Sequence, residues 1–178
     1  MKGLVKIYQN FIKTYPVFSN AVQTATLMAT GDLIAQTVVE QRQLHNINLK
    51  RTIQFASVGF VLVGPVLSNW YRLLSRMVGE ESKVAGLKKM ALDQICFAPC
   101  FLYIFLVTTN LVQGFTFLEA KNNVSRDYID IVINNYRLWP VVQLVNFCFV
   151  PLPYQVLLVQ TVAIIWNTYL SWKTQIKT

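Results

Sequence analysis

Charged residues are scarce in this sequence of 178 residues. They make up 13% of the chain, whereas hydrophobic residues make up 54% and the mean hydropathy is +0.41. A typical globular domain carries about 25% charged residues. The charges that are present gather between long apolar stretches. Since a helix that spans a bilayer needs about 20 mostly apolar residues, this distribution indicates an integral membrane protein.

Histidine is nearly absent, which excludes several kinds of site. The only histidine, His45, lies in a polar segment beside Gln43 and Asn46. The sequence contains no His or Cys pair at metal-ligand spacing, no nucleophile elbow and no phosphate-binding glycine loop. We therefore predict no catalytic site, no metal site and no cofactor.

Cysteine is also rare. Cys96, Cys100 and Cys148 lie in apolar segments, and their odd number does not fit a secreted disulfide framework. Cys96 and Cys100 are one helical turn apart, which is poor geometry for a disulfide. We favour packing in a helix interface for these residues over a redox switch, and they stay redox candidates.

Acidic residues are outnumbered by basic ones, 8 to 16, giving a net charge of +8. The basic residues flank apolar runs and form no basic helix face, which favours membrane flanks over direct nucleic-acid binding. No acidic residue precedes Asp32, and residues 1–16 are basic and amphipathic. We interpret this segment as an interfacial helix, with a disordered N-terminus as the alternative.

The apolar regions predict an all-α, single-domain membrane bundle of about four spans, at residues 17–39, 53–71, 87–112 and 139–172, with an amphipathic connector at 113–138. Small residues at Ala21, Ala25 and Ala29 predict a face for close helix packing. With four spans, the excess of Lys and Arg favours both termini on the positive-inside face.

Prolines interrupt the later spans. Pro99 is expected to break the hydrogen-bond ladder of the third span. As one straight helix, the fourth region would reach about 51 Å, so we expect a break near residues 151–153, at Pro151 and Pro153. Two arrangements stay open: Pro140 opens a short helix before the break, or the region is one bent helix.

Six polar residues inside the apolar regions are the candidate site: Asp32, Gln36, Asp93, Gln94, Gln143 and Asn146. An unpaired ionisable side chain inside a span costs roughly 2.5 kcal/mol or more, so it usually faces a bundle interior or a water-filled cavity. The two aspartates therefore either line an aqueous lumen or pair with basic residues and cap neighbouring helices. Gln143 and Asn146 share a helical face, where they either line the lumen or form interhelical hydrogen bonds of about 0.6 kcal/mol each.

Several long motifs resemble one known family. The downstream motifs are Asn135-Tyr136-x-Leu138-Trp139-Pro140-x-x-Gln143-x-x-Asn146-Phe147 and Trp166-Asn167-x-Tyr169-Leu170-Ser171-Trp172-Lys173. The upstream motifs are Gly31-Asp32-x-x-x-Gln36, Gly64-Pro65 and Asp93-Gln94-x-x-Phe97-Ala98-Pro99. Over nearly its whole length the chain resembles the Mpv-seventeen family, also called the twenty-two-kilodalton peroxisomal membrane protein family.

The resemblance implies a cellular context and an activity. The length and the Leu-Ser-Trp-Lys ending look most like the mitochondrial inner membrane member, with the peroxisomal membrane as the alternative location. The resemblance also implies a non-selective channel that affects membrane potential. It further implies links to mitochondrial deoxynucleotide homeostasis, mitochondrial DNA maintenance and reactive oxygen species.

Our hypothesis is a weakly cation-favouring channel, in which Asp32 and Asp93 supply negative charge and Gln143 and Asn146 supply neutral dipoles to the lumen. A non-conducting scaffold that organises lipid or protein complexes is the alternative, and a membrane enzyme is least favoured. The expected partners are the lipid bilayer, with cardiolipin as a candidate lipid, small solutes or ions, and further copies of the chain in a homo-oligomer.

Overall fold

The structure, a computed structural model, describes residues 14–79, 82–150 and 152–175. These residues form five long helices and no strand, which confirms the predicted all-α class for this part of the chain. The helices are α1 (Pro16–Ile34, continued by a π-helical turn at Ala35–Val39), α2 (Leu49–Val78), α3 (residues 83–112), α4 (Phe117–Phe149) and α5 (Leu152–Gln175). A short 3-10 turn at Leu44–Asn46 precedes α2.

Successive helices run in opposite directions. Hydrogen bonds between antiparallel neighbours join Asn20 to Ser68, Trp70 to Asp93, Asn123 to Asn110 and Asn134 to Tyr169. The first and last helices therefore run in the same direction, and they pack together with Gly31 against Asn167. Residues 14 and 175 consequently lie at opposite ends of the bundle, whereas the prediction placed both termini on one face of the membrane.

The reason for this difference lies in the fourth apolar region. Residues 139–149 are the last part of α4, which begins at Phe117 and contains Pro140 in its interior. The buried side chains Ile131, Asn135, Gln143 and Asn146 lie along the helix at spacings that keep one face inward. Because this face continues past residue 138, no boundary separates the predicted connector from the predicted span, and neither arrangement proposed for Pro140 occurs.

Near the predicted break, α4 ends at Phe149 and α5 begins at Leu152. Val150 has an extended backbone, with φ −94° and ψ 124°. Pro151 and the side chain of Pro153 lie outside the described residues, so the role predicted for these prolines stays a prediction. Residues 1–13, which carry most of the predicted interfacial helix, also lie outside the described part of the chain.

Two π-helical turns lie directly ahead of prolines. The turn Gly59–Val63 precedes Pro65, and the turn Asp93–Phe97 precedes Pro99. A proline inside a helix donates no N–H, and its ring clashes with the carbonyl four residues earlier. That carbonyl lies inside the π turn in both helices, where the wider backbone reduces the clash. The interruption predicted at Pro99 is therefore a π turn within α3.

The π turn in α3 also changes which residues share a face. Asp93, Phe97 and Phe101, spaced four residues apart, line the interior of the bundle. Cys96 and Cys100, which an uninterrupted helix would place on the side of Asp93, are exposed, and both are free thiols. The helix thus separates the two cysteines from the polar interior. Cys148 is also a free thiol, and it is half-buried on α4.

The alanine face of α1 packs closely against α2. A Cβ built on Gly64 would lie 2.5 Å from the Cα of Ala21, and one built on Gly59 would lie 3.1 Å from the Cα of Ala25. Small residues on both helices therefore let their backbones approach closely, as expected of helix packing in membranes.

Two helices in the described part of the chain, Leu49–Val78 and Val84–Val112, are long and apolar enough to cross a membrane. A buried core helix can have the same length and composition. In these two helices, however, only 39% and 28% of the most apolar stretch of 18 residues is buried. Exposed apolar side chains such as Val61 and Ile95 are therefore placed to contact lipid.

The contact between Gly64 and Ala21 generates a stability prediction. Replacement of Gly64 by alanine places a methyl group against the backbone of α1, and we expect it to lower stability by about 1–3 kcal/mol. Thermal unfolding in detergent micelles, followed by circular dichroism, measures this loss. The control is Val61→Ala on an exposed face of the same helix, and an unchanged midpoint in Gly64→Ala would contradict the close approach.

Candidate functional site

A cavity of about 620 Å³ lies between the helices. All five helices contribute to its wall, and most of the lining side chains are apolar or aromatic. The polar lining residues are Asn20, Thr24, Ser68, Tyr71, Ser75, Ser82, Lys89, Asp93, Gln94, Asn135, Gln143, Asn146 and Asn167. A wall that combines apolar side chains with convergent polar groups is typical of sites that bind small molecules.

Asp93 is the acidic residue of this wall. It is 5% exposed, and its contacts are to neutral donors. Trp70 Nε1 donates to Asp93 Oδ1 at 2.8 Å, and Gln94 Nε2 donates to Oδ2 at 2.8 Å. No cation lies within ion-pair distance of this carboxylate among the described residues. The indole and the amide orient the carboxylate without neutralising its charge.

The amides of α4 extend the same network. Gln143 Nε2 donates to the hydroxyl of Tyr71 at 3.0 Å and approaches Asp93 Oδ2 at 3.5 Å. Asn146 Nδ2 donates to Gln143 Oε1 at 3.3 Å. The buried oxygen Oδ1 of Asn146 has no hydrogen-bond partner within the described residues. This oxygen is therefore available to accept a hydrogen bond at the cavity wall.

Lys89 is the basic residue of the cavity wall. It lies one helical turn before Asp93 on α3, a spacing that places two Cβ atoms about 6 Å apart. No ion pair joins the two side chains in the part of the chain that the structure describes. The wall therefore presents one positive and one negative group separately to the cavity.

Asp32 and Gln36 lie outside the cavity wall. Both are fully buried, and neither lines the cavity. Arg51 Nε donates to Asp32 Oδ1 at 2.7 Å, while Gln36 Nε2 donates to Oδ2 at 2.8 Å. The hydroxyls of Thr52 and Ser171 also donate to Asp32. Of the two interpretations offered for Asp32, structural pairing describes this arrangement.

Arg51 connects Asp32 and its hydrogen-bond donors to the loop after α1. Its Nη1 donates to Glu40 Oε2 at 3.0 Å, and its Nη2 lies 2.7 Å from Glu40 Oε1. Arg51 is 4% exposed. Together the residues Asp32, Gln36, Glu40, Arg51, Thr52 and Ser171 form what we call the Arg51 clamp. It ties α1, α2 and α5 together at one end of the bundle.

A family model described as the Mpv17 / PMP22 family matches residues 110–171. The chain is 44% identical over 173 residues to mitochondrial inner membrane protein Mpv17 of Danio rerio, covering 97% of this chain and 98% of that protein. It is 44% identical over 171 residues to the Homo sapiens protein of that name, covering 96% and 97%. The chain belongs to the Mpv17 / PMP22 family. The protein of that name in Caenorhabditis briggsae is 34% identical over 173 residues.

Family membership confirms the predicted resemblance, and it gives the cellular location. The relatives are named as mitochondrial inner membrane proteins and match nearly the whole chain, so this member is a mitochondrial inner membrane protein. The two outward-facing apolar helices are consistent with this location. No solved structure matches the chain.

Sequence reasoning missed part of both networks. The six candidate residues did not include Trp70, which donates to Asp93, or Tyr71, which accepts from Gln143. They did not include Arg51 either, although it pairs with Asp32. One signal was available for Lys89, because a lysine four residues before an aspartate shares its helical face.

The Arg51 clamp generates a second stability prediction. We expect Arg51→Met to destabilise this family member by about 3–5 kcal/mol, because it leaves the buried carboxylate of Asp32 without its cation. Thermal unfolding in micelles measures the change. Arg42→Met is the matched control, since Arg42 also contacts Glu40 but is partly exposed, and its loss should cost no more than about 1 kcal/mol. Equal effects of the two substitutions would argue against the clamp.

Proposed function

We propose that the protein is a weakly selective channel for small solutes or ions in the mitochondrial inner membrane, rather than an enzyme. The observation that carries the proposal is the cavity of about 620 Å³ bordered by all five helices, with the network of Asp93, Gln143 and Asn146 on its wall. A polar wall inside an apolar bundle lowers the cost of bringing water or a polar solute to membrane depth.

The charges on the wall bear on selectivity. Asp93 attracts cations and Lys89 attracts anions, so the two side chains oppose each other. Asp32 contributes little to a solute in the cavity, because its carboxylate is paired with Arg51 outside the cavity wall. Weak selectivity follows from this balance, and the cation preference that we expected from two aspartates rests on Asp93 alone.

The size of the cavity is within the range of about 300–1,000 Å³ that holds small-molecule ligands. A link to deoxynucleotide homeostasis, and through it to mitochondrial DNA maintenance, would follow if solutes of nucleoside size passed. A wall with one acid and one base favours solutes of low net charge over polyphosphates. Flux of labelled deoxynucleosides and deoxynucleotides into proteoliposomes measures this preference. We expect the deoxynucleosides to enter faster.

Conductance in planar bilayers tests the channel. We expect discrete openings from the purified protein, and a cation-to-anion permeability ratio that falls by up to about tenfold in Asp93→Asn. Lys89→Gln should move the ratio in the opposite direction, because it removes the competing positive charge. Reversal potentials in a salt gradient measure both changes.

The matched control for Asp93→Asn is Glu119→Gln, the same acid-to-amide change at an exposed position away from the cavity. Glutamine can also cap the helix start at Thr116, so fold and selectivity should both be kept. If both cavity variants conduct with the wild-type ratio, the charged-wall proposal is wrong. A folded but silent wild type would instead favour the non-conducting scaffold.

Membrane topology provides a separate prediction. We propose that all five helices cross the membrane, so that the two termini lie on opposite sides. The alternating helix directions and an outward apolar face on α2 and α3 support this arrangement. Protease protection of epitope tags in mitoplasts should show one terminus accessible and the other protected. Four crossings, with both tags on one side, would place one helix on the membrane surface.

A further inference from the structure

Two charges of opposite sign lie on the cavity wall without neutralising each other. Lys89 and Asp93 are the charged side chains among the described residues of this wall, and both belong to α3. Their spacing of four residues allows a lysine and an aspartate to pair on a helix. No ion pair forms between them or to either of them within the described ranges. The cavity therefore meets a free cation and a free anion about one helical turn apart.

A stack of aromatic rings holds the carboxylate of Asp93 in place. The indole of Trp70, which donates to Asp93 Oδ1 at 2.8 Å, lies parallel to the ring of Phe97, with centroids 4.5 Å apart. Phe97 stacks in turn on Phe101, with centroids 5.0 Å apart. A charged group that its neighbours already orient loses little freedom when a ligand binds. The carboxylate is thus prepared for a cationic partner.

Asn146 adds an acceptor that is independent of the two charges. Its side chain lines the cavity and is 3% exposed, and Nδ2 donates to Gln143 Oε1 at 3.3 Å. The other amide atom, Oδ1, has no partner among the described residues. Because buried polar atoms in proteins nearly always have a partner, this free acceptor indicates a ligand that carries a hydrogen-bond donor.

Apolar side chains supply the surface beside these polar groups. Phe101, Leu102 and Trp139 are among the residues that border the cavity. A solute that fits the wall therefore combines an apolar body with charged groups of both signs. A solute with a single charge would leave Lys89 or Asp93 without a counter-ion, whereas a zwitterion neutralises both.

We propose that the cavity holds a binding subsite for a zwitterionic solute of the class of the neutral α-amino acids with apolar side chains. The ammonium group binds Asp93, and its further N–H groups can donate to Asn146 Oδ1. The carboxylate binds Lys89, whose flexible side chain reaches a group beside the ammonium. The inference names a solute class for the proposed function, and it rests on that function for the access of the solute to the cavity.

The test is equilibrium binding to the full-length protein in lipid nanodiscs, measured by isothermal titration calorimetry with empty nanodiscs as the blank. Three probes share one carbon skeleton. L-leucine carries both charges, isopentylamine lacks the carboxylate, and isocaproate lacks the ammonium. We expect L-leucine to bind about tenfold or more tightly than either analogue, because it alone contacts both wall charges. This comparison needs no variant.

Two variants assign the charges. In Asp93→Asn the preference for L-leucine over isocaproate should fall to about one, because the ammonium has lost its counter-ion. In Lys89→Gln the preference for L-leucine over isopentylamine should fall to about one, because the carboxylate has lost its own. Each variant should weaken L-leucine binding about tenfold or more.

Matched controls make the same chemical changes outside the cavity. Glu119→Gln and Lys88→Gln each remove one charge at an exposed position, and Lys88 is the direct neighbour of Lys89. Both controls should bind the three probes like the wild type. Circular dichroism verifies that every variant is folded.

Three outcomes would overturn the proposal: no saturable binding of L-leucine, equal binding of the three probes, or preferences that stay unchanged in both cavity variants. Conductance in planar bilayers separates this failure from that of the proposed function. A protein that conducts but does not bind L-leucine keeps the channel and rejects the subsite. A silent protein that binds the probes with the expected pattern supports the subsite and rejects the channel.

Discussion

Polar groups buried in an apolar helical bundle must find their partners inside it, and this constraint governs the whole structure. The Arg51 clamp meets it for Asp32, whose carboxylate receives one cation and three neutral donors. Since the donors come from α2 and α5 as well as from α1, satisfying one carboxylate also sets the position of three helices. The helix directions and the shared alignment of α1 and α5 are consistent with this single contact region.

The network around Asp93 meets the same constraint only in part. Its donors are neutral, and the carbonyl oxygen of Asn146 has no partner among the described residues. The two aspartates are alike in sequence, each followed by glutamine nearby, yet one is neutralised by Arg51 and the other borders a cavity. This difference is why the structural role belongs to Asp32 and the proposed role in solute passage belongs to Asp93.

Proline connects the local backbone to the site. The π turn ahead of Pro99 contains both Asp93 and Gln94, and it rotates the following residues so that phenylalanines line the cavity while Cys96 and Cys100 face outward. An uninterrupted helix of period 3.6 would have kept Asp93 and Cys100 on one face. The residues that matter for the site could be selected from the sequence, but their orientation depended on a backbone irregularity that periodicity does not report.

The sequence by itself determined the class of protein, the all-helical fold, the family and the polar residues that a membrane bundle must account for, because hydropathy, composition and motif spacing are local properties. The tertiary structure decided which aspartate pairs with Arg51, that α4 runs unbroken through residue 138, and that residues 14 and 175 lie at opposite ends. It also decided that Lys89 lies on the cavity wall with Asp93. These features depend on which helices pack together. Packing between helices that are distant in the chain cannot be seen in the local sequence pattern.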